Sequence, residues 1–284
     1  MAATKVIIHG GFFSESSTSH ETKLAKQASM KNIVAKAYDF LQSHSAMETV
    51  VYAVTLLEDD ELYNAGIGSQ IQSDGKIRLS ASLMDGQKSK FSGVINLQDV
   101  KNPILVAEML QHEEDNVLAG EGANAFALQK NVPAYNVETP QRRSEYEAKK
   151  ASDGKGTVGC VAIDAEGRIA AATSTGGKGF ERVGRVSDSA TAAGNYANEF
   201  CGVSCTGVGE DIVNAAVAAK IVTRVTDGMP IGEAFAKTFA ELKVFDGFAG
   251  AIAIDKAGHI FHQDSHPSMV FASADGESIA VFGK

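Results

Sequence analysis

Two strand-length apolar runs joined by one tight turn constrain this 284-residue chain more than any other feature. Residues 157–164, beginning Thr157-Val158-Gly159-Cys160, lead into an Asp164 to Gly167 turn, and residues 168–175 lead out of it to Thr173-Ser174-Thr175. Short apolar runs bounded by turn residues read as paired strands, so a β-hairpin is expected here. It brings Thr157 and Thr175, 18 residues apart, to the same open end. The polar approach Lys155-Gly156 places Thr157 where a loose segment meets a buried strand.

Around this hairpin the pattern alternates between helical and strand periods. A strand is expected at 4–9, helices at 21–44 and 46–57, strands at 69–73, 77–83 and 91–97, and helices at 103–112 and 118–129. From Asn131 to Gly156 periodicity is lost, and Pro133, Pro140 and the mixed-charge run Gln141 to Lys155 read as a solvated linker. Beyond the hairpin come strands near 191–196 and 201–206, helices near 209–227 and 231–242, and strands at 249–254, 259–263, 268–273 and 278–282. A cut before Thr157 would leave pieces of 156 and 128 residues. Neither carries enough elements to close a core alone, so residues 1–284 are expected to form one α+β domain. Two stacked sheets covered by helices on each side, a four-layer αββα sandwich, would accommodate them.

Composition narrows the partners. With 44% hydrophobic residues the chain can bury a large core, and 26 Lys+Arg against 35 Asp+Glu give a net charge of −9. No basic stripe is present, which argues against nucleic acid. The apolar triplet Val6-Ile7-Ile8 is too short for a secretion signal and no apolar run reaches membrane-spanning length, so a cytoplasmic protein with no membrane partner is expected. Cys160, Cys201 and Cys205 are odd in number and read as buried free thiols.

A hydroxyl at the Gly156–Thr157 junction suggests self-cleavage. If it attacks the Gly156 carbonyl and the ester is hydrolysed, Thr157 gains a free α-amine. A model α-amine titrates near pKa ~7.7 to 8.0, so it can act as base for the adjacent hydroxyl. A loop glycine before a β-favouring threonine is the ordinary alternative. Arg185 and Asp188, three residues apart in a glycine-flanked loop, have the charges to hold the α-carboxylate and α-amine of an aspartyl or asparaginyl group, or to form a surface ion pair. Thr206-Gly207 closes an apolar run before a helix, where a hydroxyl and a backbone N–H can converge on an oxyanion, or merely turn the chain.

Several segments recur in a familiar order: His9-Gly10-Gly11, Leu57 to Ser69, Ser80 to Gly86, Gly156-Thr157, Thr175-Gly176-Gly177, Gly184 to Ser189 and Ser204 to Glu210. From Val6 to about Gly258 the chain resembles the plant-type L-asparaginase and isoaspartyl peptidase family of N-terminal nucleophile hydrolases. The resemblance implies the αββα architecture and a dimer of cleaved protomers. It implies Thr157 as nucleophile, Thr175 as its hydrogen-bonding partner, Arg185 and Asp188 on the substrate head group, and Thr206 with Gly207 at the oxyanion. Gly209 would help hold the substrate amine, and Asn64 would reach toward the site. No cofactor is expected for the chemistry. The resemblance also implies a structural sodium ion, wrapped by backbone carbonyls of Leu57, Glu58, Asp60, Tyr63, Ala65 and Ile67; a solvated acidic helix end is the alternative.

Other motifs lead nowhere. Strand alternation puts His259 and His262 on opposite faces, so with His266 they do not converge on one metal ion, and Gly176-Gly177-Lys178-Gly179 lacks phosphate-loop spacing. Four departures from the family pattern bear on the substrate: Phe12-Phe13 after the opening glycines, Ser187-Asp188-Ser189-Ala190 after Arg185, Thr191-Ala192-Ala193-Gly194 in place of a bulkier run, and Gln263 to Pro267 in place of the usual segment after Gly258. The expected function is an autoprocessing threonine hydrolase of β-aspartyl dipeptides, β-Asp-Arg among the candidates, and of L-asparagine. The alternatives are a glycosylasparaginase, a threonine endopeptidase or an uncleaved binding homologue.

Overall fold

The computed structural model describes residues 4–13, 20–148 and 156–283. Residues 149–155 of the expected linker therefore lie outside the described part. The elements run β1 (Lys5–Phe12), α1 (His20–Leu41), α2 (Ala46–Glu58), β2 (Leu79–Asp85), β3 (Lys90–Leu97), α3 (Pro103–Leu110), β4 (Val117–Ala119), α4 (Gly120–Gln129), α5 (Pro140–Glu147), β5 (Thr157–Ile163) and β6 (Ile169–Thr175). After a 3-10 turn at Asp188–Ala190 come β7 (Asn195–Ala197), β8 (Cys201–Gly207), α6 (Gly209–Ala215), α7 (Val217–Thr226), α8 (Ile231–Lys243), β9 (Ala249–Asp255), β10 (Ile260–Asp264), β11 (Met269–Ala274) and β12 (Ile279–Val281).

These strands form an eight-stranded sheet, β12-β11-β1-β5-β6-β2-β3-β4, and a four-stranded sheet, β10-β9-β8-β7. The large sheet interleaves strands from both sides of the Gly156–Thr157 junction: β5 pairs with β1, which pairs in turn with β11. The expected hairpin is present, with Thr157 opposite Thr175.

Strand alternation sends successive side chains into different cores. Val6, Ile8, Cys160 and Ala162 of the large sheet pack on Met30 and Val34 of α1 and Val50 and Val54 of α2. Cys201, Val203 and Cys205 pack on Ile221, Phe235 and Phe239 from α7 and α8. Between the sheets, Ile7, Val161, Ile163 and Ala171 meet Ile252 and Ile254. All three cysteines are buried and free, and burial pushes their thiols up.

Five local expectations need correction. Residues 69–73 are not a strand, because the positive φ at Gly66 and Gly68 folds this segment into a loop. The helix expected at 118–129 begins at Gly120, behind the short strand β4. The strand expected near 191–196 is only Asn195–Ala197. The helix expected over 209–227 is broken at Ala216, whose φ of 49° and ψ of 47° are left-handed. Within the expected linker lies α5, started by a Thr139 cap on the Arg142 amide with Pro140 in the first turn, where a missing N–H costs nothing. No helix among the described residues is long and apolar enough to cross a membrane.

Candidate active site

The space between the sheets changes character along its length. Each strand that lines it switches from apolar to polar in steps of two residues, all toward the same end: Ile7 to His9, Val161 through Gly159 to Thr157, Ala171 to Thr173 and Thr175, and Met84 to Ser82 and Ser80. Their registers align these residues in rows, Ile7–Val161–Ala171–Met84 and then His9–Gly159–Thr173–Ser82. The small sheet matches, with Ala197 beside Gly202 and Asn195 beside Ser204. A Cβ on Gly202 would lie 2.9 Å from Val161 Cγ1, and one on Gly159 would fall against Ser204 Oγ. Two residues beyond Ser204 on the same face of β8 comes Thr206, as Thr157 comes two residues before Gly159 on β5.

Thr157 is therefore held from several sides. Its Oγ1 donates to Thr175 Oγ1 at 3.3 Å, and Thr175 Oγ1 also accepts from the Gly177 amide at 3.2 Å. Its carbonyl oxygen lies 3.0 Å from His9 Nδ1, whose Nε2 is 2.8 Å from Ser204 Oγ, itself 2.7 Å from Thr173 Oγ1. A carbonyl only accepts, so Nδ1 carries the ring proton, Ser204 donates to Nε2, and Thr173 donates to Ser204. Burial lowers the pKa of His9 to about 3, so the ring stays neutral and the order of donors is set. Sequence reasoning noted His9 but assigned it no role, and passed over Ser204 and Thr173. The shared step from apolar to polar at every second residue is the signal that would have found them.

Arg185, Asp188 and Gly209 also converge. A Cβ on Gly209 would lie 2.7 Å from Arg185 Nη2 and 2.8 Å from Asp188 Oδ1. The surface ion pair between Arg185 and Asp188 is not formed. Arg185 grips Glu210 through two hydrogen bonds of 2.8 and 3.0 Å, and Lys178 joins them at 2.9 Å. These contacts, led by the Arg185 hydrogen bonds, hold the Glu210 carboxyl down at about 2. Asp188 is buried, and desolvation pushes its carboxyl up to about 7 against the pull of Arg185. Its Oδ2 and the Thr206 hydroxyl are buried without a hydrogen-bond partner among the described residues. Buried polar atoms of native proteins are seldom left so.

Asn64 is adjacent but differently employed. Its Nδ2 donates to the Gly177 carbonyl at 2.6 Å, its Oδ1 accepts from the Gln70 amide at 2.9 Å, and a Cβ on Gly156 would lie 2.7 Å from its Cβ. It latches the loop after α2 to the Gly156–Thr157 junction and to the turn after β6. In that loop Glu58 is buried, not solvated; desolvation raises its carboxyl to about 8. Of the six carbonyls expected around sodium, those of Leu57, Glu58 and Asp60 already accept backbone amides, from Asp60, Ile67 and Tyr63. Ala65 precedes a sharp return at Gly66 and Gly68, packed so closely that a Cβ on Gly68 would lie 2.7 Å from the Glu61 carbonyl oxygen and 3.0 Å from that of Tyr63. Carbonyl oxygens are the ligand type a hard cation takes. His259 pairs with Asp255, His262 lies on Phe271 and His266 stacks on Phe248, so the three histidines are dispersed.

Comparison of the sequence with known proteins points to a family. The asparaginase family model aligns with residues 2–155 and 139–283. The chain belongs to the asparaginase family. It is 46% identical to an isoaspartyl peptidase/L-asparaginase of Synechocystis sp., over 97% of this chain and 89% of that relative. A Nostoc sp. protein of the same description is 42% identical, over 97% of this chain and 93% of its own. The isoaspartyl peptidase of Escherichia coli is 34% identical, over 92% and 89%.

Gly159 is the position where packing against this network is tightest. Replacing it with Ala drives a methyl group into Ser204 Oγ and His9 Nε2. A loss of about 1–3 kcal/mol is expected, read as a lower urea midpoint at unchanged slope; an unshifted midpoint would show that the network yields freely.

Proposed function

We propose that the chain severs its own backbone between Gly156 and Thr157 and then hydrolyses β-aspartyl dipeptides and L-asparagine. One observation carries this proposal: Thr157 and Thr175 pair through their hydroxyls at the polar end of the inter-sheet space, and the Thr206 hydroxyl, on the face of β8 turned toward that space, is buried without a hydrogen-bond partner among the described residues. The names of the relatives supply the substrate class.

In the first stage Thr157 Oγ1 attacks the Gly156 carbonyl carbon, and the C–N bond breaks to leave an ester and a free Thr157 amine. Water then cleaves the ester, giving a Gly156 carboxylate. In turnover, that amine takes the Thr157 hydroxyl proton and the oxygen attacks the substrate's side-chain carbonyl. The Thr175 hydroxyl would donate to the nucleophile oxygen as charge develops. Thr206 Oγ1 and the Gly207 amide would receive the oxyanion, a contribution of ~2.7 to 4 kcal/mol per donor. The Thr157 ammonium returns its proton to the departing amine, and water, deprotonated by the same amine, releases aspartate.

Recognition of the head group falls to the loop after β6. Arg185 would exchange its fork on Glu210 for the substrate α-carboxylate, while Asp188 and the Gly209 carbonyl take the ammonium. The helix-backed sheets facing each other across a shared interior support the αββα sandwich, with cleaved pieces of 1–156 and 157–284 held together by interleaved strands. Carbonyls of the 57–67 loop would hold a sodium ion, which supplies rigidity and no chemistry.

Purified chain incubated with β-aspartyl dipeptides and asparagine is expected to release aspartate, with dipeptides preferred; Thr157→Ala is expected to release none. Turnover by that variant, or none by the unsubstituted chain, would contradict the proposal. Thr206→Val separates catalysis from folding. It should lower kcat by about 10² to 10³ while leaving stability equal or higher, since a buried hydroxyl without a partner is replaced by a methyl group. A drop in stability with intact kcat would reverse that assignment.

Asp188 must ionise to hold an ammonium, so kcat/KM should climb as pH rises through about 7. The Thr157 amine adds a second ionisation near ~8. Below both, log kcat/KM should rise with a slope of about two, reduced to about one in Asp188→Asn. The shift also sets stability: the unfolded carboxyl ionises from pH ~4 and the folded one only near 7, so Asp188 destabilises progressively between those values. Denaturation midpoints of Asp188→Asn should therefore gain on those of the parent as pH rises across that window.

A further inference from the structure

Helix α5 buries none of its own side chains, yet it reaches into the loops that frame the site. Arg142, with its side chain 13% exposed, donates from Nε to the Gly68 carbonyl at 2.6 Å and is held on its far side by Glu145 at 2.8 Å. Arg143 donates from Nη2 to the Gly75 carbonyl at 3.3 Å, and the Tyr146 hydroxyl donates to the Ser73 carbonyl at the same distance. The Tyr146 ring stacks on Phe180, with centroids 5.1 Å apart and planes 9° from parallel. Phe180 has a φ of 54°, unfavourable for a side chain of its size, so its placement depends on what surrounds it.

Both loops are joined to each other and to the junction. The Phe180 amide donates to the Ile71 carbonyl at 2.9 Å and the Ser73 amide to the Glu181 carbonyl at 3.2 Å. Asn64, at the head of the first loop, packs on Gly156 and holds Gly176 and Gly177. The second loop runs on to Arg185. A continuous set of contacts thus links the last helix before the scissile bond to both the nucleophile end and the head-group end of the site. The hydrogen bonds to Gly68, Ser73 and Gly75 join residues on the same side of the break, so cutting after Gly156 leaves them within one piece, and the Tyr146–Phe180 stack then ties that piece to the other.

We propose that α5 is a brace, with Arg142 and Tyr146 as positioning residues: Arg142 sets the loop carrying Asn64 and so the Gly156–Thr157 junction, and Tyr146 sets the loop carrying Arg185. This rests on the reaction proposed above. The division of labour follows from what each residue touches. Loss of Arg142 affects self-cleavage and kcat, whereas loss of Tyr146 affects chiefly KM. The helix belongs to the working enzyme and stays docked after processing.

The test uses the full-length chain with Arg142→Ala, Arg142→Lys, Tyr146→Ala and Tyr146→Phe. Processing is followed by intact mass, turnover by kcat and KM on a β-aspartyl dipeptide, and loop order by hydrogen exchange at the Ser73 and Phe180 amides. Arg142→Ala should slow processing and kcat about tenfold, the scale of one charge-assisted hydrogen bond, with partial recovery in Arg142→Lys. Tyr146→Ala should raise KM and speed exchange at both amides about tenfold, while Tyr146→Phe, which keeps the ring, stays near the parent. Thermal midpoints should change little, because no core residue is removed. Parent-like kinetics in both alanine variants overturn the brace, as does parent-like exchange in Tyr146→Ala. Exchange is read without turnover, so an inactive parent chain would contradict the reaction and still leave the brace to be decided by the amides.

Discussion

A neutral imidazole between two sheets governs the geometry of this protein. His9 can bind the Thr157 carbonyl only by donating from Nδ1, and can then bind Ser204 only by accepting at Nε2. Burial keeps the ring unprotonated, so the arrangement has one solution. Through it β8 of the small sheet is tied by hydrogen bonds to β1, β5 and β6 of the large one, in a place where an apolar contact would allow the two sheets to slide. Gly159 is a consequence, since no side chain fits there.

That polar end of the interior faces an apolar end built on the same strands. Ile7, Val161, Ile163, Ala171, Ile252 and Ile254 exclude water and bear the weight of sheet-to-sheet packing. A few residues further along, the same faces carry Thr157, Thr175, Ser204 and Thr206, so these hydroxyls are held on strands. Orphaned atoms in such a setting cost stability. Among the described residues Thr206 and Asp188 carry such atoms, and the proposed reaction gives them a partner in the substrate.

Much of this was legible in the sequence where local pattern and tertiary demand agree. The 157–175 hairpin, the first two helices and the strands after residue 249 are bounded by turn residues and repeat their apolar positions at the period of their final structure. Thr157 and Thr175 followed directly from the hairpin. Where tertiary contacts decide, the sequence was silent. Ala216 takes a left-handed conformation that nothing in its composition announces. Residues 140–147 look like solvated linker because α5 buries nothing, and its ties to Gly68, Ser73 and Phe180 join positions far apart in the chain. Glu210 was passed over as a partner of Arg185 because only the fold brings a helix start against the loop after β6.

The central claim is that Thr157 carries a free α-amine in the working protein. N-terminal sequencing of the chain, purified under conditions in which it releases aspartate, measures this directly. The account predicts a second amino terminus reading Thr-Val-Gly-Cys, in amount equal to the original one. An active preparation consisting wholly of intact 29.8 kDa chain would contradict it.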